Sequence, residues 1–187
     1  LPVAARLIRP LFSGFASAEK ELLMIEMNLE VNGREENWQV EPGETLLEAL
    51  RRYHFKGPKL VCGTGDCCAC TVVVGTKSVC SCCLPALKAD GQKVVTVEGL
   101  AEEGVLHPLQ AAFIETAASQ CGFCTPGFLM RSYSFLKNRN PAVLPTEVEV
   151  RKALAGNICR CTGYVKPVEA VLKTARVMQE KAREQNG

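Results

Sequence analysis

The chain has 187 residues, 47% of them hydrophobic, and a formal net charge of +2. That length holds one large or two small domains with a core in each. So small a charge gives no argument for a nucleic-acid or anionic-membrane partner, and no apolar run reaches the roughly 18 residues of a membrane-spanning helix. The eleven cysteines are an odd number and only two histidines accompany them, so metal binding is weighed before disulfides.

Residues 1–22 carry Arg6 and Arg9, and Arg9-Pro10 breaks their apolar run where a secretory signal would need it continuous. They read as an N-terminal extension pinned against a partner subunit; a targeting segment, or a true start at Met24 or Met27, are the alternatives. From Ile25 the pattern alternates strictly, with Ile25, Met27, Leu29 and Val31 on one face of a half-buried strand. Asn32-Gly33 predicts a two-residue hairpin turn, and Trp38 and Val40 continue the pattern in the return strand. After Pro42-Gly43, Thr45 to Glu48 has the form of a capping box opening a helix with Leu46, Leu47, Ala49, Leu50 and Tyr53. Lys56-Gly57-Pro58 closes it.

The next stretch, Leu60 to Leu84, holds seven of the eleven cysteines. Cys62, Cys67 and Cys70 are spaced C-x4-C-x2-C, and with Cys82 as a distant fourth sulfur they give the plant-type [2Fe-2S] ferredoxin spacing. Such a loop must wrap an anionic cluster and aim backbone amides at its sulfurs, and Gly63 and Gly65 supply the positive φ this requires. Taking Cys68 in place of Cys67 gives C-x5-C-x-C, which matches no motif; if its position also needs positive φ, it costs roughly 1–2 kcal/mol. Val72 to Val74 and Ser78 to Cys82 read as a hairpin turning near Gly75-Thr76. Alternation then sets Cys80 and Cys82 on one face and Cys83 on the other, making Cys82 the first choice for the fourth ligand and Cys83 the second. A structural zinc site lacks its two short cysteine pairs here and has no histidine nearby. Buried structural thiols do not explain seven cysteines in one loop and strand. Retained cysteines at cluster spacing point to a reducing compartment, read as the cytoplasm. Val94 to Val97 adds a strand, and the α+β unit spanning 23–99 closes near Gly99.

The rest, 104–187, reads as four helices. His107 to Ala118 carries Leu109, Ala112 and Phe113, with Pro108 suited to the first helical position. Thr125 caps and Pro126 opens a second helix through Phe128, Leu129, Tyr133 and Leu136, so Cys121 and Cys124 sit just before a positive helix end. Thr146 to Glu149 is another capping box, for a helix running to Gly156. Asn157 to Gly163 then turns into a last helix beginning near Pro167, with Val168, Val171, Leu172, Ala175 and Met178 on its apolar side. C-G-F-C alone is a weak signal shared with thiol redox proteins, but here it lacks a βαβ context and is joined by Cys159-x-Cys161. Together the two pairs make a second four-thiolate site, for which another [2Fe-2S] cluster is the simplest occupant. Cys68, Cys80 and Cys83 are left over.

With both cysteine groups placed, the chain resembles the iron–sulfur subunit of the molybdenum hydroxylases, the xanthine dehydrogenase and aldehyde oxidoreductase family. The matching stretches are CGTGDC-x-AC-T at 62–71, SC at 81–82, ADG at 89–91, QCGFCTPG at 120–127 and GNICRCTGY at 156–164. The family pattern has glycine where Cys68 stands. CGTGDC and the HPLQAAF helix look similar to the small subunit of 4-hydroxybenzoyl-CoA reductase. The resemblance implies a β-grasp ferredoxin-like domain followed by a four-helix domain, each with one [2Fe-2S] cluster. It also implies a partner subunit holding a molybdenum-pterin cofactor, and a flavin subunit or other acceptor to which single electrons pass. On this basis Gln120 and Cys161 lie nearest the pterin. Catalysis by the chain alone is not expected, because no base, nucleophile pair or phosphate loop stands out. Two other functions compete: a standalone two-cluster ferredoxin, and a zinc-stabilised structural protein.

Overall fold

The computed structural model describes residues 24–184; the predicted N-terminal extension lies outside the described residues. The first half is a mixed sheet covered by one helix, and the second is four helices. Strands β1 (Ile25–Val31) and β2 (Arg34–Val40) form the predicted hairpin, with Asn32 and Gly33 at φ 52° and 80°. Both values are positive, as the tight two-residue turn demands. Met27, Leu29, Val31, Trp38 and Val40 are buried on one face. Helix α1 (Leu46–Arg52) lies over that face, and its capping box is complete: the Thr45 amide donates to Glu48 Oε2 at 2.8 Å and the Glu48 amide to Thr45 Oγ1 at 3.2 Å. Beyond its end, Tyr53 stacks on Trp38 with ring centroids 4.5 Å apart.

After the cysteine loop come β3 (Thr71–Val74) and β4 (Lys77–Cys80), turning at Gly75-Thr76. The sheet order is β2-β1-β5-β3-β4, with β5 (Lys93–Val95) parallel to β1 and antiparallel to β3. This is the predicted α+β, β-grasp arrangement. Two strand ends fall short of expectation. Ser81–Cys83 is a short 3-10 turn, so Cys82 does not share a strand face with Cys80, and Val97–Gly99 is a second such turn. In the first case the chain must leave the sheet edge to bring Ser81, whose hydroxyl donates to Cys70 O at 2.7 Å, back over the loop.

In the second half, α2 (Pro108–Glu115), α3 (Thr125–Lys137), α4 (Glu147–Leu154) and α5 (Val165–Glu184) pack around Leu109, Phe113, Phe128, Met130, Val150 and Val171. Thr146 and Glu149 form the predicted capping box of α4, which ends at Leu154. Helix α5 starts at Val165, two residues before Pro167, because proline is tolerated in a first turn. Thr125 does not cap α3. It is the first helical residue, its hydroxyl lies 3.0 Å from that of Ser119, and Cys124 takes the cap position.

The two halves meet on β3. Val72 feeds the core under α1, while Val73 on the opposite face belongs to the helical core, so the strand is buried on both sides. Helix α3 is bound across the hairpin by Asn138 Nδ2 donating to Thr76 O at 2.7 Å and Arg131 Nη1 donating to Ser78 Oγ at 2.6 Å. At its N-terminal end the helix comes so close that a Cβ on Gly127 would lie 2.3 Å from Cys68 O and 3.1 Å from Ala69 Cα. Both obstacles are backbone, so no side-chain rotation relieves them. Gly127→Ala is therefore expected to destabilise the protein by about 1–3 kcal/mol, lowering the midpoint of thermal unfolding; an unchanged midpoint would show that the seam opens freely.

Candidate functional site

Two groups of cysteines are assembled, one on each side of the seam. In the first, the loop from Cys62 to Cys70 curls back on itself, with Gly63 at φ 70° and Gly65 at φ 84°. This aims amides inward. The Cys67 amide and then that of Thr64, the latter 3.4 Å from Cys62 Sγ, hold the Cys62 thiol down to about 5. Cys67 is beside Cys62. Cys70 and Cys82 form a second couple, packed with Leu47 and both buried. Burial first, then the neighbouring Cys82, pushes Cys70 up to about 11. One couple is thus half exposed and fed by amides; the other is dry.

The second group repeats this plan with different elements. Cys121 and Cys161 are exposed with sulfurs 3.7 Å apart. Cys124, at the α3 cap, neighbours Cys159, and burial, then Cys159, raises its thiol to about 12. Burial also acts to raise Cys159. It is outweighed by the Thr162 hydroxyl (3.2 Å) and amide (3.4 Å), which donate to its sulfur and leave it below the ordinary thiol value. The Cys159 amide donates to the Tyr164 hydroxyl at 3.0 Å, and Tyr164 itself sits at φ 64°. Gln120 is exposed next to Cys121.

Of the eight candidate ligands, the structure brings together Cys62 with Cys67, Cys70 with Cys82, Cys121 with Cys161, and Cys124 with Cys159. Among the described residues no three Cys, His, Asp or Glu side chains converge as a single metal ion requires. A diiron cluster takes two thiolates on each iron, so couples with amides directed at their sulfurs fit it. Cys68, Cys80 and Cys83 fall outside the couples: Cys68 and Cys80 lie 3.4 Å apart, and Cys83 is 3.6 Å from Cys82. Cys68 adopts φ 54°, the glycine-like conformation expected of its position.

Sequence reasoning passed over the residues that join the two groups. The Asn157 side chain, 2% exposed, donates to Cys68 O at 3.2 Å, and the Ile158 amide donates to Cys67 O at 3.1 Å. A backbone hydrogen bond thus connects the residue before Cys159 directly to Cys67.

Comparison with known proteins agrees with this geometry. Residues 29–101 match the family described as a 2Fe-2S iron-sulfur cluster binding domain, and residues 96–172 match the [2Fe-2S] binding domain family. The small subunit of nicotine 6-hydroxylase from Paenarthrobacter nicotinovorans is 48% identical over 149 residues, covering 79% of this chain and 88% of that protein. The small FeS subunit of nicotinate dehydrogenase from Eubacterium barkeri is 41% identical over 148 residues, covering 79% and 92%. The chain belongs to the iron–sulfur subunits of the molybdenum hydroxylase family. The crystal structure of quinoline 2-oxidoreductase from Pseudomonas putida 86 superposes with a TM-score of 0.80 at 37% identity, covering 87% of this chain and 98% of its counterpart. As a member of this family, the protein is an electron-transfer subunit with two [2Fe-2S]-binding domains. No helix among the described residues is long and apolar enough to cross a membrane.

The Thr162 hydroxyl bond predicts a measurable tuning. A donor to a ligand sulfur stabilises the reduced, more negative state. Thr162→Val keeps the shape and removes the hydroxyl; with Cys159 as a ligand, the potential of the helical-domain cluster should fall by on the order of 50 mV, equivalent to about 1 kcal/mol for one electron. An EPR-monitored redox titration checks this, with the other cluster as internal control; equal shifts in both would contradict it.

Proposed function

We propose that this chain passes single electrons between a molybdenum-pterin cofactor in a large partner subunit and a flavin subunit or other acceptor. Cys62, Cys67, Cys70 and Cys82 hold one [2Fe-2S] cluster within an N-terminal domain of residues 23–99. Cys121, Cys124, Cys159 and Cys161 hold the other within a helical domain of residues 104–187. When bound, each cluster supplies a site that accepts and releases one electron at a time. The cytoplasm is the compartment that suits these reduced thiols.

The observation that carries the reading is the Ile158 amide bonded to Cys67 O. Through it, one candidate ligand of each group is joined by a few covalent bonds and a single hydrogen bond. The ends of this route are open. Cys121 and Cys161 are exposed on the helical side, flanked by Phe123 and Ile158, which are 54% and 56% exposed, a surface suited to burial against a large subunit. Gln120 and Cys161 would face the pterin there. In the first loop Thr64 and Asp66 are exposed, leaving that group accessible to an acceptor.

A standalone ferredoxin is disfavoured by this exposed apolar rim, which a freely diffusing shuttle would have to keep in water. The route itself is tested by Ile158→Pro, which removes the bonded N–H. In the complex carrying both clusters, substrate should still reduce the helical-domain cluster at the normal rate, while reduction of the second cluster lags several-fold. Stopped-flow spectra with rapid-freeze EPR separate the two; simultaneous reduction at the unaltered rate would refute the route.

A further inference from the structure

Three cysteines remain without a place in either group, and two of them meet. Cys68, at φ 54°, holds a conformation that costs an L-residue roughly 1–2 kcal/mol relative to glycine. Its sulfur lies 3.4 Å from Cys80 Sγ. Both thiols point at one acceptor, the Gly65 carbonyl, at 3.8 Å from Cys68 and 3.6 Å from Cys80. Gly65 belongs to the turn between Cys62 and Cys67. Both thiols are half-buried, and a Cβ on Gly156 would lie 3.3 Å from Cys68 Sγ, so the pair sits at the seam between the two halves.

We propose that Cys68 and Cys80 are an oxidisable dithiol, closed to a disulfide by hydrogen peroxide and reopened by thiols. Peroxide converts one thiol to a sulfenic acid with release of water. The second thiol then attacks that sulfur, forming the S–S bond and releasing a second water. Two thiols thereby lose two electrons and two protons, and the peroxide gains them. The sulfurs need to close by only about 1.4 Å to reach the disulfide length of about 2.05 Å, a shift open to two side chains free of metal. Chain direction favours the pair as well: β4 ends at Cys80, directly across from Thr71, whose amide and hydroxyl both donate to Cys68 O.

The consequence falls on the neighbouring loop. In the dithiol, Gly65 O is within reach of two S–H groups, of which that of Cys80 also reaches Cys68 Sγ; in the disulfide neither S–H remains and the carbonyl must find another donor. Oxidation therefore alters first the turn that presents Cys62 and Cys67, and reaches the helical group only through the Asn157 and Ile158 bonds to Cys68 O and Cys67 O. The oxidation state of Cys68 and Cys80 would in this way be reported most strongly by the cluster of the first domain. The inference rests on the ligand assignment above only in requiring that neither cysteine binds iron.

The test uses the intact complex with its clusters. It is treated with hydrogen peroxide, then denatured, alkylated and digested with trypsin, which cleaves after Lys77 and so separates the two cysteines. The expected product is a cross-linked peptide pair joined through Cys68 and Cys80, reversed by dithiothreitol, formed while iron content is unchanged and the EPR signal of the first-domain cluster is shifted. Cys80→Ser and Cys68→Gly should each retain full iron and abolish the cross-link. Free, alkylated Cys68 and Cys80 after such treatment would overturn the proposal, as would iron loss before any cross-link forms. Loss of iron in both variants would instead show that the two cysteines are ligands, which overturns it and the ligand assignment together; a cluster-complete variant without cross-link separates the two.

Discussion

Everything in this protein hangs on the contact between the first turn of α3 and the backbone of the cysteine loop. Gly127 is set against Cys68 O and Ala69 Cα at a separation no side chain would allow. That proximity lets Asn157 and Ile158 reach the carbonyls of Cys68 and Cys67. Without it there would be two cysteine groups on two small folds, with no hydrogen bond from the segment of one to the loop of the other. The burial of β3 on both faces is the larger-scale expression of the same contact, since Val72 and Val73 secure the strand to separate cores.

Within each cysteine group the electrostatic surroundings are unequal. One side has a sulfur stabilised by amides or a hydroxyl: Cys62 by the amides of Cys67 and Thr64, Cys159 by Thr162. The other has a sulfur whose negative charge is disfavoured by burial, Cys70 in the first group and Cys124 in the second. Because donors and solvent stabilise added negative charge, the side with the donors would favour the extra electron of a bound cluster. In the second group that side includes Cys159, which is also the end of the hydrogen-bonded connection.

How much of this could be read from the sequence follows from the range of each interaction. The Asn32-Gly33 turn and the capping boxes at Thr45 and Thr146 are complete within four residues, and they were legible. So was the gathering of the cysteines into two groups, because three candidate ligands of the first group come from one short loop. Cys82 was reached partly through a strand that ends two residues before it; the chain leaves the sheet to satisfy Ser81, an interaction with Cys70 O that no periodicity encodes. Thr125 looked like a cap and proved to be the first helical residue, with Cys124 at the cap position. Gly127, Asn157 and Ile158 stood inside the matching stretches, but the contacts they make were silent. Their partners lie some 60 to 90 residues away in sequence, and nothing local marks a glycine needed for the close approach of another segment.

The most direct test of the account is the iron and acid-labile sulfide content of the anaerobically purified protein, with EPR spectra of the reduced sample at several temperatures. Two cysteine groups each holding a diiron cluster predict about four iron and four sulfide per chain and two distinguishable reduced signals. Half that content with a single signal, or zinc without sulfide, would contradict it.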